Sequence, residues 1–161
     1  MKRFLLIIAA AFSLAAYANS ENAPQTTDGA FTTLMIAAAD IGKYTETLRN
    51  NPSAFQATGT TGAGVCVTNS GNEYEGQMMV WSAFPDVASA LVGGTKYDPQ
   101  QAPRQFKNLR DLKYGVTWKP LTPFRLEPGY ERVQRIKVPA ENLQAFTEGL
   151  EKLEASIQAA G

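Results

Sequence analysis

Residues 31–59 have the sequence FTTLMIAAADIGKYTETLRNNPSAFQATG, and residues 133–161 have the sequence VQRIKVPAENLQAFTEGLEKLEASIQAAG. The two stretches align without a gap at an offset of 102 residues, from 31 to 133, and seven of the 29 aligned positions are identical. Ordinary amino-acid usage would give roughly two identities over this length. The chain is therefore predicted to contain an internal repeat, which decides its architecture.

The repeat predicts two copies of one α+β unit, of which the second is incomplete. The first copy is followed by further strands, whereas the second ends opposite Gly59. We expect the second copy to contribute only a first strand, over residues 131–138, and a first helix. The pattern predicts a fragment or truncated form of a two-domain protein. Its parts are a signal peptide at 1–18, a flexible lead at 19–29, a first domain at 30–122, a linker at 123–130 and an incomplete second repeat at 131–161.

The first residues have the pattern of an export signal. Lys2 and Arg3 precede an apolar run over residues 4–16, and Ala16-Tyr17-Ala18 is a small-x-small cleavage site. The run of 13 residues is too short to span a bilayer, so a cleaved signal is favoured over a membrane anchor. The mature chain is predicted to be periplasmic or secreted, with no membrane attachment after cleavage.

Charge and composition exclude several classes of function. Without residues 1–18 the chain has 13 basic and 15 acidic side chains, a net charge of −2, so nucleic acid is not expected as a partner. The absence of histidine excludes histidine-based triads, histidine-ligated haem and the common zinc sites. Cys66 is the only cysteine, so no intrachain disulfide can form. No metal or other cofactor is expected.

The hydrophobic pattern of the first domain predicts four strands and helices between them. Asp40 is positioned to cap the first helix, and Pro52 should interrupt that helix because proline lacks an amide donor. A further helix should begin at Pro85 and stop at Gly93-Gly94. The strands are predicted at residues 30–38, 65–68, 74–84 and 115–119.

The most specific part of this pattern is Trp81-Ser82-Ala83-Phe84-Pro85-Asp86-Val87-Ala88-Ser89-Ala90-Leu91. A third strand that ends in tryptophan and small polar residues and runs directly into a helix resembles the dimeric α+β barrel superfamily, which includes the antibiotic-biosynthesis-monooxygenase-like domains. The resemblance covers about residues 30–121 and the first strand and helix of a second domain from residue 131. It implies a ferredoxin-like α+β fold, with a four-stranded antiparallel sheet and helices on one face.

The resemblance also implies a general type of binding site. In this superfamily two four-stranded sheets face one another, between chains or between tandem domains, and the ligand lies between sheet and helices. Members include cofactor-independent monooxygenases, haem-degrading enzymes, isomerases and proteins of no known activity. Catalytic members often use a histidine, and this chain has none. The resemblance therefore implies a fold and no particular activity.

The repeat assigns the side chains of the first strand to two faces. Leu34 and Ile36, like their counterparts in the second copy, are apolar and should pack on the helices. The other side is apolar in the first copy, at Met35, and cationic in the second, at Arg135 and Lys137. A pocket with one apolar and one positive wall would suit a small amphipathic anion. A solvated sheet face is the alternative interpretation.

The candidate ligand-binding residues follow from this assignment, and no catalytic residue is predicted. For the two tryptophans among them the alternative is a place in the core. Cys66 lies between two valines, which favours a small buried residue in a central strand over a reactive thiol. The candidates are Met35, Gln77, Trp81, Trp118, Arg135 and Lys137.

Three functions are compatible with these patterns. The first is an exported protein that binds a small organic ligand, favoured by the two unlike walls and the absence of histidine. The second is a cofactor-independent monooxygenase or isomerase that uses polar groups such as Gln77 or Arg135. The third is a non-catalytic interaction module. An exposed sheet face predicts self-association in each case.

We predict that the mature protein isolated from its source begins at or near Asn19, because cleavage should follow Ala18. Amino-terminal sequencing of the exported fraction measures this. Intact Met1 in that fraction, or a protein confined to the cytoplasm, would contradict the prediction.

Overall fold

A computed structural model describes residues 29–121 and 128–160. The predicted signal peptide and the lead up to residue 28 lie outside the described residues, as does most of the predicted linker. The strands are β1 (Ala30–Ala38), β2 (Gly62–Val67), β3 (Gln77–Phe84) and β4 (Arg110–Trp118). The helices are α1 (Ile41–Asn50), α2 (Ser53–Thr58), α3 (Val87–Lys96), α4 (Arg104–Lys107) and α5 (Leu143–Ala160), with 3₁₀ turns at Pro99–Gln101 and Ala140–Asn142.

The four strands form one antiparallel sheet in the order β2-β3-β1-β4. The central strand β1 pairs with β3 on one side and with β4 on the other, where a bulge between Met35 and Ile36 shifts the register. Residues of α1 to α4 pack on one face of this sheet. The predicted ferredoxin-like α+β fold, with helices on one face, is confirmed.

The main core lies between the sheet and the helices, on the side that we call the helix face. Ile36 from β1 and Met78 from β3 are fully buried there, together with Tyr44 from α1. Leu34 packs against the same cluster, so the predicted assignment of the apolar side of β1 is confirmed. Burial of each large side chain contributes about 1.5–3 kcal/mol to the free energy of folding.

The break between α1 and α2 follows from the local sequence, as predicted. The Asp40 carboxylate accepts a hydrogen bond from the Lys43 amide at 2.9 Å and caps α1. Pro52 then separates α1 from α2, which begins at Ser53. The change of direction brings α2 against α3.

Helix α3 continues past the predicted stop at Gly93-Gly94 and ends at Lys96. A Cβ atom at Gly93 would lie 2.8 Å from both the Phe84 ring and the Thr58 carbonyl oxygen. The lack of a side chain therefore allows α3 to pack closely on β3 and on the end of α2. This close packing, and not helix termination, accounts for the glycine.

Three strands differ from their predicted extents. β2 begins at Gly62, β3 at Gln77 and β4 at Arg110. β2 lies at the edge of the sheet, so the prediction that Cys66 belongs to a central strand is wrong. A short β-branched run has the same pattern at an edge as at the centre of a sheet, because position depends on pairing with distant residues.

Residues 131–138, predicted as the first strand of a second copy, form no strand. The Arg135 guanidinium lies 4.9 Å from the centre of the Tyr114 ring on β4. Glu131 lies close enough to Cys66 on β2 to raise the pKa of its thiol. Arg135 therefore lies against the sheet face opposite the helices, and residues 131–138 do not join the four-stranded sheet.

Helix α5 has the predicted amphipathic pattern. Its apolar side chains at spacings of three, four, three and four are called the α5 stripe here: Leu143, Phe146, Leu150, Leu153 and Ile157. Four of them are 45–63% exposed, and no described side chain of α5 is buried. Neither α5 nor any other helix of residues 29–121 and 128–160 has the length and hydropathy to cross a membrane.

Two glycines of the β2–β3 connection provide a test of the packing. Gly71 and Gly76 have φ values of 73° and 68°. A Cβ at Gly76 would lie 2.1 Å from the Ala38 carbonyl oxygen, whereas one at Gly71 would meet nothing within 4 Å. We predict that Gly71→Ala lowers the free energy of unfolding by about 1–2 kcal/mol, and that Gly76→Ala lowers it by more. Denaturant unfolding measures both, and equal losses would contradict the described contact.

Candidate functional site

A cavity of about 280 Å³ lies between the helix face of the sheet and helices α1 to α4. The cavity stays open because α3 and β4 present small residues toward it, namely Ala90, Gly93, Gly94 and Gly115. The rest of the wall includes hydroxyl and amide side chains, among them Thr32, Ser82 and Thr117 of the sheet. Its larger apolar side chains are Leu34, Leu48, Phe55, Val80, Phe84 and Phe106. The cavity can therefore hold an apolar group without opening the core.

One end of the cavity is polar. Arg110, the first residue of β4, is 9% exposed and donates a hydrogen bond from Nη1 to the Tyr44 hydroxyl at 2.8 Å. Its Nη2 donates to the Pro99 carbonyl oxygen at 3.3 Å. The guanidinium carbon lies 5.7 Å from the centre of the Tyr44 ring. These contacts hold the cation in one orientation at the cavity wall.

The Tyr44 phenol remains protonated at neutral pH. Burial raises its pKa above the ordinary value, and the charge and hydrogen bond of Arg110 offset part of that rise. The phenol oxygen accepts the hydrogen bond from Arg110, so its own O–H is left as a donor. The polar end of the cavity thus presents the N–H donors of Arg110, which the fully buried Tyr44 hydroxyl holds in place.

The described lining of the cavity contains no carboxylate. The partners of the Arg110 guanidinium among the described residues are a hydroxyl and a carbonyl oxygen, which carry no full negative charge. Within the same part of the chain, no group of three or more cysteine and acidic side chains is placed to hold a metal ion. The electrostatic character of this site is therefore positive.

The predicted ligand-binding residues lie away from the cavity. Four of the six point to the sheet face opposite the helices: Met35, Gln77, Trp81 and Trp118. Arg135 lies over the Tyr114 ring on this face, and Lys137 is exposed. Gln77 is already engaged, because its Oε1 accepts a hydrogen bond from the Glu73 amide at 2.7 Å. A ligand at these six residues stays a prediction, at a place separate from the cavity.

The opposite face, which we call the aromatic face, carries four aromatic side chains among residues of other types: Phe31, Trp81, Tyr114 and Trp118. The Phe31 and Trp118 rings stack with their centroids 6.2 Å apart. Trp118 Nε1 donates to the Thr33 hydroxyl at 2.7 Å, although the residue is 39% exposed. The Trp81 ring lies over Gly64, where a Cβ would come within 2.6 Å of it. Neither tryptophan belongs to the buried core, so the core interpretation is wrong for both.

Neither Arg110 nor Tyr44 is among the residues that the sequence predicts for ligand binding. Tyr44 occupies an apolar position in the periodic pattern of α1. That pattern predicts a core residue but gives no role to the tyrosine hydroxyl. Arg110 lies on the same side of β4 as Leu112, which packs on the core. A charged residue at a core position of a strand can indicate a functional site. The predicted fourth strand begins only at residue 115, however, so it does not include Arg110.

No protein-family model matches the sequence, and no curated protein matches it. Among solved structures, the chain is similar to a mutant of SnoaB, a cofactor-independent oxygenase from Streptomyces nogalater, with a TM-score of 0.42 and 7% sequence identity. The match covers 59% of this chain and 95% of that chain. It is a similarity of backbone arrangement, and no functional assignment follows from it.

We predict that iodoacetamide alkylates native Cys66 slowly, and that Glu131→Gln shifts the pH profile of the rate to lower pH. Burial, and after it the charge of Glu131, raises the pKa of the thiol, whose thiolate form is the reactive one. Loss of the carboxylate should lower that pKa. Alkylation rates from neutral to alkaline pH measure the shift, with Glu141→Gln as the control. An unshifted profile, or a native rate equal to that of the unfolded chain, would contradict the described surroundings of Cys66.

Proposed function

We propose that this chain binds a small organic anion with an apolar body in the cavity between the sheet and the helices. The observation that carries the proposal is the burial of Arg110, the one charged side chain in the described lining of the cavity. Burial of a charge is costly, so buried cations are normally paired with an anion. The described partners of Arg110 are neutral, and a ligand carboxylate would supply the missing negative charge.

The donors at the polar end match the acceptors of a carboxylate. A guanidinium presents its N–H groups in a planar fork that can bind both oxygens of a carboxylate. The Tyr44 hydroxyl, which is fully buried, accepts a hydrogen bond from this guanidinium and fixes its position. The absence of a carboxylate from the described lining disfavours a cationic ligand, which would be repelled by Arg110 without compensation.

The volume of the cavity limits the size of the ligand. Ligand sites usually measure ~300–1,000 Å³, so a cavity of about 280 Å³ lies at the lower limit. An engineered apolar cavity of ~150 Å³ holds one benzene molecule. One or two rings with a single acidic group therefore fit the space.

The polar end favours binding over catalysis. Arg110 supplies a cation, and Tyr44 stays protonated at neutral pH because burial raises its pKa, whereas a general base works best with a pKa near the operating pH. These groups can hold and orient an anion. The proposal that binding takes place outside the cytoplasm is supported by the signal-peptide pattern of residues 1–18.

We predict that 2-naphthoate binds the protein and raises its Tm, and that 2-naphthamide, its neutral isostere, binds at least about tenfold more weakly. A charge-assisted hydrogen bond contributes roughly 1.5–3 kcal/mol, and about 1.4 kcal/mol corresponds to a tenfold change in affinity. Arg110→Met should remove the preference for the acid. Isothermal titration calorimetry on the wild type and the variant measures all four affinities.

Arg104→Met is the matched control, because Arg104 is an exposed arginine of α4 that does not line the cavity. It should leave both affinities unchanged. Tyr44→Phe retains the cation and should weaken 2-naphthoate binding less than Arg110→Met does. Equal binding of the acid and the amide to the wild type, or an unchanged preference in Arg110→Met, would contradict the proposed function.

A further inference from the structure

Three hydroxyl side chains lie in one row across the helix face of the sheet, and we call them the hydroxyl row: Thr32, Ser82 and Thr117. Thr32 of β1 is paired with Ser82 of β3 on one side and with Thr117 of β4 on the other. All three residues line the ligand cavity. Side chains at paired positions of neighbouring strands point to the same face, with their Cβ atoms about 5 Å apart. The hydroxyl row therefore forms one polar strip across three strands.

The hydroxyl row interrupts an apolar pattern on the helix face. The neighbouring positions on this face are Ala30 and Leu34 along β1, and Val80 and Phe84 along β3. All four of these residues belong to the core clusters or pack against them. Threonine is common in strands because its branched side chain suits a pleated sheet, but this preference does not account for Ser82 in the same row. Hydroxyls at such positions need a polar partner or water.

The hydroxyl row is available to a ligand. Thr32 and Ser82 are half-buried and Thr117 is exposed, and none of the three side chains forms a hydrogen bond with another described residue. Other threonine hydroxyls at the sheet and cavity are already engaged. Thr58, which also lines the cavity, donates to the Phe55 carbonyl oxygen at 2.7 Å. The hydroxyl row thus differs from the engaged hydroxyls in having its donors and acceptors free of described partners.

The hydroxyl row and Arg110 lie toward opposite ends of the cavity. Arg110 pairs with Ala38 of β1, whereas the hydroxyl row passes through Thr32, six positions away on the same strand. At a rise of about 3.3 Å per residue, the backbones of these two rows are on the order of 20 Å apart. The arginine side chain and one hydrogen bond at each end take up part of this distance. A ligand that meets both ends is therefore elongated.

We propose that the anion bound in this cavity is an elongated monoacid with a neutral hydroxyl or carbonyl group at the end remote from its carboxylate, an inference that rests on the proposed function. The carboxylate binds Arg110, and the remote group exchanges hydrogen bonds with the hydroxyl row. The apolar body between the two groups lies against the larger apolar side chains of the wall, such as Leu34 and Val80. The ligand is thus recognised at both of its ends.

The remote group is neutral because the cavity offers no second charge to pair with it. Arg110 is the one charged side chain in the described lining. A serine or threonine hydroxyl both donates and accepts, so the hydroxyl row can bind a hydroxyl or a carbonyl oxygen. A second carboxylate would lose water without gaining a cation, which is costly. A plain hydrocarbon end would cover the hydroxyls without satisfying them. Both of these ligands are therefore disfavoured.

Isothermal titration calorimetry with matched acids tests this inference. The acid 4′-hydroxybiphenyl-4-carboxylate has its hydroxyl at the far end of two para-linked rings, and biphenyl-4-carboxylate lacks that hydroxyl. The hydroxy acid should bind about three- to tenfold more tightly, as expected for one hydrogen bond to the hydroxyl row. It should also bind more tightly than biphenyl-4,4′-dicarboxylate, whose remote group is charged. In the one-ring pair, 4-hydroxybenzoate should show no gain over benzoate, because its hydroxyl does not reach the row.

Variants of the hydroxyl row identify the residues that hold the remote group. Thr32→Val, at the centre of the row, should lower the affinity ratio of the hydroxy acid to the unsubstituted acid. The double variant Thr32→Val/Ser82→Ala should bring that ratio close to one. Each substitution replaces a hydroxyl by an apolar group of equal or smaller size, so neither should prevent folding. Thr68→Val is the matched control, because Thr68 does not line the cavity, and it should keep the wild-type ratio.

The outcomes distinguish failure of this inference from failure of the proposed function. If biphenyl-4-carboxylate binds and Arg110→Met weakens its binding, but the remote hydroxyl adds no affinity, only the inference about the hydroxyl row is overturned. If none of the acids binds, or if their binding does not depend on Arg110, the inference and the proposed function are both overturned. A gain from the hydroxyl that persists in the double variant, or that is equal in the one-ring pair, would place the remote group elsewhere and would also overturn the inference.

Discussion

Each strand of the sheet directs alternate side chains to opposite faces, and β1 at the centre separates the two surfaces of this protein. Leu34 and Ile36 point into the helix face, where the core and the cavity lie. Phe31, Thr33 and Met35 point to the aromatic face. Because the thickness of the sheet lies between the two, the cavity and the aromatic face are separate surfaces of the molecule.

The polar end of the cavity is built into the packing of the core. Tyr44 is fully buried in the main cluster, and α1 that carries it is capped by Asp40. Its hydroxyl holds the guanidinium of Arg110, which in turn reaches the Pro99 carbonyl oxygen. Three elements therefore meet at one cation. An anion bound there would strengthen a junction between α1, β4 and the Pro99 turn, so ligand binding and stability should be linked.

The sequence predicted the features that depend on nearby residues. The limits of β1, the Asp40 cap and the break at Pro52 agree with the structure because each depends on residues within a few positions. Features that depend on contacts between residues far apart in the chain could not be predicted from the sequence. The edge position of Cys66 is set by β3, and Arg110 meets Tyr44 across 66 residues. Residues 131–138 have the hydrophobic pattern of a strand, but a segment becomes a strand only where it runs alongside the edge of a sheet and can pair with it.

A crystal structure with 4-bromobenzoate, located by the anomalous scattering of bromine, tests the central claim most directly. We expect bromine in the apolar part of the cavity and the carboxylate within hydrogen-bond distance of Arg110. The aromatic face contains Trp118 and has Arg135 over the Tyr114 ring, so it is the competing place for an aromatic acid. Bromine on that face, with the cavity empty, would contradict the account.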